Sequence, residues 1–464
     1  MNATAHRAER QAPAFAIDVV EKGTRARRAH IDCVIDRNIA FSTAHLESYC
    51  LAQWEPVIFD ALVLAAAVEY CDHVARRPAL GWRRDIELCL PCHEPERWNA
   101  SAVQNALRDA LEFLTGDRWN LTFKPRRARV ADPHQIHFDI PNGPSAVIPF
   151  SEGLDSCAVA GLMHNEIGDR LIRVRLGTKP FDAASVPGDV TKRPFTSIPY
   201  RVKRGERRFL ESSGRSRGFK FALVSGLAAY LIKAERVIVP ESGQGALGPA
   251  LVPVGQAHPD FRNHPLFTDR MEKLVLAVFG HRVRYEFPQL WSTKGETLAR
   301  FAAECADGAA WRTTKSCWQQ NRYASVNHRK RQCGICAACM LRRLSVHAAG
   351  LDESPDTYIW EDLRAPSFAA GAASGFKGVT RVSMQHYAIA GTLHLDHLAA
   401  LIAAPGGTSR IALAAAQLGG SRGIPERDTR DNLENLLLRH RNEWSAYTTS
   451  LGAQSFIKQW IPPS

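Results

Sequence analysis

Two groups of residues have types and spacings that could carry chemistry, and the first is the loop at residues 151–156, Ser-Glu-Gly-Leu-Asp-Ser. The loop follows an apolar stretch and precedes a run of small apolar residues, which predicts the order strand, polar turn, helix. That order is typical of a phosphate site, because the N–H groups of the turn and the helix N-terminus converge on an anion. Ser151 and Ser156 add hydroxyls, and Gly153 is expected to take backbone angles closed to other residues. Asp155 could help to hold the Mg²⁺ that travels with ATP.

The second group is a set of four cysteines, Cys317, Cys333, Cys336 and Cys339. Four thiolates bind Zn²⁺ tetrahedrally, and two successive C-x-x-C turns let three of them converge while the first arrives across a loop. Gly334 would let the first of these turns fold tightly. The spacing therefore predicts a closed structural zinc site, with a persulfide-carrying or redox-active cluster as the alternative.

Two further pairs of residues have metal-binding or redox types but an unfavourable context. Cys89 and Cys92 have the spacing of a redox pair or half a zinc site, but the prolines beside them predict a turn rather than the helix of a redox motif. His394 and His397 lie three apart in a predicted helix, with no third ligand nearby in the sequence. We expect two thiols at the end of a strand in the first case and core or surface histidines in the second.

The elements that must position these residues alternate between strands and helices. Strands are predicted at residues 145–150, 170–176, 237–243 and 283–287, and helices at residues 215–232, at residues 265–279 and from residue 293 onward. This alternation predicts a doubly wound α/β fold with a parallel sheet, in which ligands bind beyond the carboxyl ends of the strands. Residues 151–156 and 241–243 both lie at such ends. The polar stretch between the second strand and residue 208 is expected to be a mobile surface segment.

The two ends of the chain have patterns of their own. Residues 1 to about 30 are polar and basic and are expected to include a loose tail. An α+β module is then predicted from a strand at residues 84–90, a helix at residues 101–114 that Ser101 caps, and a strand at residues 119–123. The C-terminal region is predicted to be mostly helical, near residues 385–403, 411–418 and 431–447, with the last helix capped at Asp431.

The composition limits the class of protein. A length of 464 residues exceeds one ordinary core and predicts about two to four domains. No apolar run reaches the roughly 18 residues of a membrane span, and the first residues lack the apolar segment of a signal peptide, so a cytoplasmic location without membrane contact is expected. In that compartment eleven cysteines favour metal binding or buried thiols over disulfides. The net charge of +12 permits a nucleic-acid or nucleotide partner, although the basic runs are spread along the chain.

The loop and the cysteines together carry a family resemblance. Residues 151–156 resemble the PP-loop of the N-type ATP pyrophosphatases, with pattern S-G-G-x-D-S, except that Glu152 stands where that family has glycine. The combination resembles the 7-cyano-7-deazaguanine synthase family, QueC, in which a zinc site of the form S-C and C-G-x-C-x-x-C with a basic residue beyond follows the PP-loop domain. The matching residues are Ser316, Cys317, Cys333, Gly334, Cys336, Cys339 and Arg342. Residues 258–262, His-Pro-Asp-Phe-Arg, are similar to that family's Y-P-D-x-R segment, and residues 293–294 to its S/T-K helix start.

This resemblance implies an adenine nucleotide alpha hydrolase-like fold and an ATP-dependent ligase that forms C–N bonds. The family enzyme adenylates the carboxyl of 7-carboxy-7-deazaguanine, ammonia gives an amide, and a second ATP-dependent step gives the nitrile. The residues implied to hold ATP and Mg²⁺ are Ser151, Gly153, Leu154, Asp155 and Ser156. Asp155 and Lys294 would be catalytic, Asp260 and Arg262 would lie near the substrate, and the four cysteines would hold Zn²⁺. Without the resemblance, Asp260, Arg262 and Lys294 indicate only a surface ion pair and a helix-surface lysine.

Extensions at residues 1–140 and 351–464 flank the implied PP-loop domain at residues 141–350. This long form resembles the QueC-like proteins of bacterial antiphage defence systems, such as the QatC type. That implies a homodimer or a subunit of a defence complex, acting on a 7-deazaguanine-type molecule, a nucleic acid or a partner protein. Two alternatives stay open: a PP-loop enzyme that modifies nucleic acid, favoured by the charge, and a catalytically weakened scaffold, favoured by Glu152. If ATP binds, the Glu152 carboxylate must turn away from the phosphates or be offset by nearby arginines.

Overall fold

The computed structural model describes residues 12–42, 55–78, 81–127, 143, 145–177, 195–205, 207–211, 214–255, 257–318, 325–376 and 382–461. Their strands are β1 Ala14–Val20, β2 Ile31–Val34, β3 Ile39–Phe41, β4 Asp85–Cys92, β5 Arg118–Pro125, β6 Ala146–Pro149, β7 Leu171–Gly177, β8 Phe195–Val202, β9 Arg236–Ile238, β10 Arg284–Glu286, β11 Ser325–Val326 and β12 Arg329–Lys330. Their helices are α1 Pro56–Val74, α2 Pro95–Asn99, α3 Ser101–Thr115, α4 Leu154–Ile167, α5 Arg217–Ile232, α6 Gly243–Ala246, α7 Gly248–Leu251, α8 Pro265–Phe279, α9 Lys294–Glu304, α10 Ala337–Ala348, α11 Val382–Ala400, α12 Gly407–Arg422 and α13 Glu426–Ser450.

The larger sheet has six strands in the order β10-β9-β6-β7-β8-β3, and every neighbouring pair is parallel except β8 with β3. Successive residues of β6 enter different hydrophobic clusters: Ala146 and Ile148 pack with helix α4, whereas Val147 packs with α5 and α8. Helices therefore cover both faces of this sheet, as its short apolar strands predict. The predicted strands β6, β7, β9 and β10 are confirmed, each within a few residues of its expected bounds.

Strand β8 overturns one expectation. The stretch up to residue 208 is predicted to be a mobile surface segment, but Phe195–Val202 pairs with β7 and β3 inside the larger sheet. Ile198 and Tyr200 of this strand are buried, a period-two pattern that the polar residues around it conceal in the sequence. Residues 178–194 of the same stretch lie outside the described residues.

The smaller sheet has four parallel strands in the order β2-β1-β4-β5. Helices α1 and α3 pack on it and also on α5 and α8, so residues of both sheets share one hydrophobic cluster. The predicted strands β4 and β5 and the helix between them are confirmed. Cys89 and Cys92 are buried in β4, with Cys92 as its last residue, in accord with the expectation of strand thiols.

Two expectations for this N-terminal segment are wrong, and a third is tested only in part. Ala14–Val20, within the stretch expected to include a loose tail, is an inner strand whose Ile17 and Val19 enter the shared core, and residues 1–11 lie outside the described residues. The four strands are all parallel, and helices separate β2 from β4 and β4 from β5, so the arrangement is α/β rather than α+β. Ser101 does not cap α3: it is the first helical residue, and the preceding Ala100 offers no side-chain acceptor.

The C-terminal region is helical, as predicted, through α11, α12 and α13. Helix α13 packs on both of the others and begins at Glu426, so Asp431 lies within it and does not cap it. His394 is buried with its Nδ1 2.7 Å from the Val252 carbonyl oxygen, and His397 is exposed, which fits core and surface histidines. In the described residues, no helix combines the length and apolarity needed to cross a membrane. The division at residues 140 and 350 stays a prediction.

Candidate functional site

The loop at residues 151–156 joins the carboxyl end of β6 to the first turn of α4. Ser151 Oγ lies 2.9 Å from Ser156 Oγ and accepts a hydrogen bond of 3.1 Å from the N–H of Gly153. The two hydroxyls therefore lie side by side at the helix N-terminus, where the helix dipole favours an anion. Leu154 is buried among the residues that join α4 to α9, so only its backbone could contact a ligand.

The expected backbone role of Gly153 is wrong. Its φ of −78° and ψ of 157° are extended values that any residue adopts. The need for a small residue here is spatial, because a Cβ on Gly153 would lie 3.0 Å from Ser151 Oγ.

Glu152, the departure from the PP-loop pattern, has an arginine beside it. Arg175 near the carboxyl end of β7 places its Nη2 3.0 Å from Glu152 Oε1. The arginine is 9% exposed, whereas the Glu152 side chain is 38% exposed. The condition stated for ATP binding, that nearby arginines offset this carboxylate, is therefore met by Arg175. The Glu152 carbonyl oxygen also accepts a hydrogen bond of 2.7 Å from the N–H of Lys315, which ties the loop to the segment that leads into Cys317.

Asp155 and Lys294 form an ion pair, although they come from the first turns of different helices, α4 and α9. Both are largely buried, with side chains 14% and 9% exposed. The other Asp155 oxygen accepts a hydrogen bond of 3.2 Å from Ser242 Oγ, which follows strand β9. Because β6 and β9 are adjacent parallel strands, their carboxyl ends bring the acid, the hydroxyl and the amine to one edge of the sheet.

Lys294 is held in place by the residues around its backbone. Thr293 caps α9 in a reciprocal capping box with Glu296, as the predicted helix start at residue 293 requires. The Lys294 N–H donates 2.8 Å to Gln244 Oε1, and Thr293 Oγ1 donates 2.5 Å to a Glu443 carboxylate oxygen. Burial raises the pKa of Glu443 to about 7, although the hydrogen bonds from Thr293 and Gln244 lower it in part. Helix α13 of the C-terminal extension thus contacts the residues that position Lys294.

Glu241 and Asn263 add a second acid and an amide to this edge. Burial, and then the negative charge of Asp155, raise the pKa of Glu241 to about 8. Asn263 Nδ2 donates 2.8 Å to Glu241 Oε2. A carboxyl with so high a pKa is uncommon on a surface and is typical of a site that handles charge.

Asp260 and Arg262 form a close pair next to Asn263. The Arg262 Nε lies 2.8 Å from Asp260 Oδ2, and the Arg262 N–H donates 3.0 Å to Asp260 Oδ1. Arg215, which is buried, lies 3.9 Å from the same carboxylate. Burial opposes ionisation, but Arg262 and then Arg215 hold the pKa of Asp260 below its ordinary value. The predicted substrate residues are thus a charged pair connected through Asn263 and Glu241 to the Asp155 cluster.

The four cysteines converge, as predicted. Their Sγ atoms lie within 4.8 Å of one another, and Cys333 Sγ is 3.8 Å from Cys339 Sγ. A tetrahedron with Zn–S bonds of about 2.3 Å has edges of about 3.8 Å, so the donor set fits Zn²⁺. Hydrogen bonds within the cluster, first with the Cys333 thiol, lower the pKa of Cys317. Three of the four cysteines are buried, and four thiolates complete the tetrahedral coordination of Zn²⁺, which is typical of a structural site.

The surroundings of the cysteines explain two other residues of the motif. Gly334 has φ +83°, and a Cβ there would lie 3.0 Å from the Trp360 carbonyl oxygen, so the glycine is required as predicted. Arg342 is fully buried and pairs with Glu353 at 2.7 Å while donating 2.6 Å to Thr314 Oγ1. It is therefore a structural link between α10 and the segment before Cys317.

The structure thus brings the predicted residues together in two groups, the loop with Asp155 and Lys294, and the cysteines. Sequence reasoning missed Arg175, Gln244 and Glu443. It placed residues 241–243, and with them Ser242, at a strand end where ligands bind, but it gave Ser242 no role. No sequence pattern indicates Arg175 or Glu443, because each contacts the site from a different part of the chain.

Comparison with known proteins agrees with part of this site. Residues 254–350 match the model of the family described as "Queuosine biosynthesis protein QueC". The matched segment holds Asp260, Arg262, Lys294 and the four cysteines, but it begins after the loop at residues 151–156. The search of curated proteins gives no match. The chain therefore carries a QueC-type domain, at residues 254–350, within a longer α/β protein.

Proposed function

We propose that this chain is a QueC-like ATP-dependent enzyme that activates a carboxyl group by adenylation and then forms a C–N bond. The observation that carries the proposal is the meeting of Asp155, Lys294 and Ser242 beside the loop at residues 151–156, at the carboxyl edge of adjacent parallel strands. The QueC-type match at residues 254–350 supports the same reaction class. Helix N-termini, hydroxyls and a buried lysine are the groups that a triphosphate requires.

Each residue of the cluster has a role in this reaction. The loop N–H groups with Ser151 and Ser156 would bind the phosphates, and Lys294 would neutralise pyrophosphate as it leaves. Asp155 would hold the Mg²⁺ of the nucleotide, which supplies charge stabilisation for the departing phosphates. Lys294 pairs with Asp155 before ATP binds, so the ammonium is already placed at this edge at little reorganisation cost.

The substrate class follows from the second charged pair. Asp260 Oδ2 accepts a hydrogen bond of 2.8 Å from Arg262 Nε and lies 2.5 Å from Arg262 Nη2, which fixes the direction of the guanidinium. A fixed guanidinium suits a planar carboxylate, which it binds through two parallel hydrogen bonds. We propose 7-carboxy-7-deazaguanine or a close relative as the substrate. Its carboxylate attacks ATP to give the acyl adenylate and pyrophosphate, and ammonia displaces AMP to give the amide.

The second half of the proposed reaction and its setting rest on the resemblance. A second ATP would adenylate the amide oxygen, and loss of AMP with the N–H protons would give the nitrile. A role in antiphage defence is part of the same proposal and rests on the long architecture. The negative charge of Glu152 beside the phosphate site is the feature that suggests a weakened scaffold. Arg175 offsets this charge, which favours an active enzyme.

The test is the release of pyrophosphate and AMP from ATP by the purified full chain, with and without 7-carboxy-7-deazaguanine. We expect AMP formation that depends on the substrate and falls to background in Asp155→Ala. Asp169→Ala is the matched control, since this exposed acid lies beyond the far end of α4. Absence of AMP from the wild type, with activity only in Glu152→Gly, would contradict the proposal and indicate a scaffold.

A further inference from the structure

The smaller sheet has its own carboxyl edge, away from the residues of the proposed adenylation site. Its strand order is β2-β1-β4-β5, so the chain turns to one side of β1 for β2 and to the other side for β4 and β5. In open parallel sheets such a change of direction leaves a crevice beyond the carboxyl ends of the two strands between which it occurs, here β1 and β4. Ligands bind in that crevice. Glu21, His93 and Arg126 are the residues that directly follow β1, β4 and β5.

His93 is held by a buried carboxylate. Asp60 of α1 is 1% exposed, and its oxygens lie 2.8 Å from His93 Nδ1 and 2.9 Å from the His93 backbone nitrogen. Nδ1–H therefore donates to Asp60, and the ring presents its other nitrogen elsewhere. That atom, Nε2, is buried and has no hydrogen-bond partner among the described residues.

Arg126 is arranged in the same way. Its Nε donates 3.1 Å to Glu21, and its guanidinium lies over the ring of Phe59 at 4.2 Å from the ring centre. The side chain is 10% exposed. Its Nη1 is buried and, in the part of the chain that the structure describes, has no hydrogen-bond partner. A buried polar atom without a partner costs about 1–3 kcal/mol, so the Arg126 donor and the His93 acceptor at one edge require an explanation.

The two nitrogens belong to neighbouring positions. Cys92 and Pro125 pair in register, so the next residues, His93 and Arg126, start about 5 Å apart on adjacent strands. Both side chains contact Phe59, whose ring centre is 5.6 Å from that of His93. Phe59 lies in the first turn of α1, so the positive end of this helix dipole faces the same place.

The same edge of the sheet also holds a cavity. It has a volume of about 600 Å³, opens at the carboxyl ends of β1 and β2, and is not lined by His93 or Arg126. Its charged lining residues are Lys22, Arg25, Arg27 and Arg37 with the acids Asp32 and Asp36. The acids Glu21 and Asp60 hold the guanidinium and the imidazole in place through their other nitrogens, which leaves Arg126 Nη1 as a donor and His93 Nε2 as an acceptor for a ligand.

We propose that this edge is a second ligand site, in which Arg126 Nη1 and His93 Nε2 bind the phosphate group of a small phosphorylated molecule. Arg126 Nη1 offers a charge-assisted donor to a phosphate oxygen at a helix N-terminus. His93 Nε2, whose ring carries its proton on Nδ1, accepts a hydrogen bond from the hydroxyl of a monoprotonated phosphate. The proposal does not depend on the adenylation reaction, because the residues lie in the other sheet.

The test uses inorganic phosphate as the probe and calorimetric titration of the full chain as the measurement. Arg126→Gln keeps an N–H near the position that bonds Glu21 and removes Nη1, and His93→Asn keeps an N–H for Asp60 and removes Nε2. Arg118→Gln is the control, since this exposed arginine lies at the opposite end of β5. All titrations are done in a Lys294→Met background, so that phosphate at the proposed ATP loop does not contribute.

We expect phosphate to bind in that background and in the control, and to bind at least about tenfold more weakly in each of the two variants, as the loss of one charge-assisted hydrogen bond predicts. Melting temperatures close to that of the parent show that the variants are folded. Equal phosphate affinity in Arg126→Gln and its parent, or no phosphate binding in the Lys294→Met background, overturns the proposal. Either result would leave the AMP assay of the proposed function unaffected.

Discussion

Replacing Arg175 by methionine should leave the Glu152 carboxylate without the positive charge of this arginine at the proposed phosphate site of the loop at residues 151–156. Arg175 Nη2 lies 3.0 Å from Glu152 Oε1, and the arginine side chain is 10% exposed. Methionine retains much of the apolar stem of arginine and removes the charge. The Glu152 carboxylate then loses the guanidinium that offsets it, while the loop backbone is unchanged.

The size of the effect can be worked from Coulomb's law. Two unit charges about 8 Å apart interact with about 2 kcal/mol at an effective dielectric constant of about 20. Repulsion of that size between Glu152 and a phosphate corresponds to about a 30-fold loss of ATP affinity. The effect on folding should be small, under about 1 kcal/mol, because the Glu152 side chain is 38% exposed and its ion pair is screened by water.

The assay is calorimetric binding of ATP with Mg²⁺ to four proteins: the wild type, Arg175→Met, Glu152→Gln and the double variant. We expect weak binding in Arg175→Met and near wild-type binding in the double variant, because the repulsive charge is gone. Arg170→Met, at an exposed position just before β7, is the control for loss of a positive charge. If Arg175→Met binds ATP as the wild type does, or if the double variant stays as weak, the electrostatic reasoning is wrong.

Three further changes test other parts of the structure. Cys336→Ala removes one of four ligands and should release zinc and lower the melting temperature, so an unchanged metal content by mass spectrometry would contradict the zinc assignment. Burial lowers the pKa of His440 to about 4, so its contribution to stability is complete above pH 6.5 and falls by about 1.4 kcal/mol per pH unit as the pH drops toward 4. Urea unfolding at pH 4.5 to 7 should show a shallower pH dependence in His440→Gln, and equal slopes would refute the buried neutral histidine. Gly161→Ala should destabilise the fold by about 1–3 kcal/mol, because its Cβ would lie 2.3 Å from the Phe301 ring. Gly420→Ala, in a helix with nothing within 4 Å of the added Cβ, should be neutral or stabilising, and similar effects of both changes would argue against the close approach of α4 and α9.

The features that the sequence predicts well are those with a local physical cause. The capping box at Thr293 needs only its own turn, and helix α9 starts as expected. The cysteine spacing also has a local cause, since two tight turns bring three thiols together before any other contact forms. Alternation of apolar strands with helices predicts the parallel larger sheet for the same reason.

The features that escape prediction depend on contacts between distant segments. Strand β1 lies in a basic stretch, and only its pairing with β2 and β4 shows that it is part of the core. Gly153 illustrates a different limit: the residue type suggests a special backbone angle, but the structure shows extended angles and a Cβ that would crowd the Ser151 hydroxyl at 3.0 Å. The partner of Glu152 is equally invisible, because Arg175 belongs to the following strand and reads as one of several alternating arginines.

Helix α13 gives the C-terminal extension a physical connection to the candidate site. Gln244 holds the Lys294 N–H through its carbonyl oxygen, and its amide nitrogen lies 2.8 Å from His440 Nδ1 and 3.1 Å from a Glu443 carboxylate oxygen. Glu443 also accepts the hydrogen bond of Thr293. The backbone position of Lys294 therefore depends on two residues of a helix that lies outside the matched segment at residues 254–350. Because buried polar groups need their partners, helix α13 and the start of α9 within the matched segment form one hydrogen-bonded unit at the candidate site.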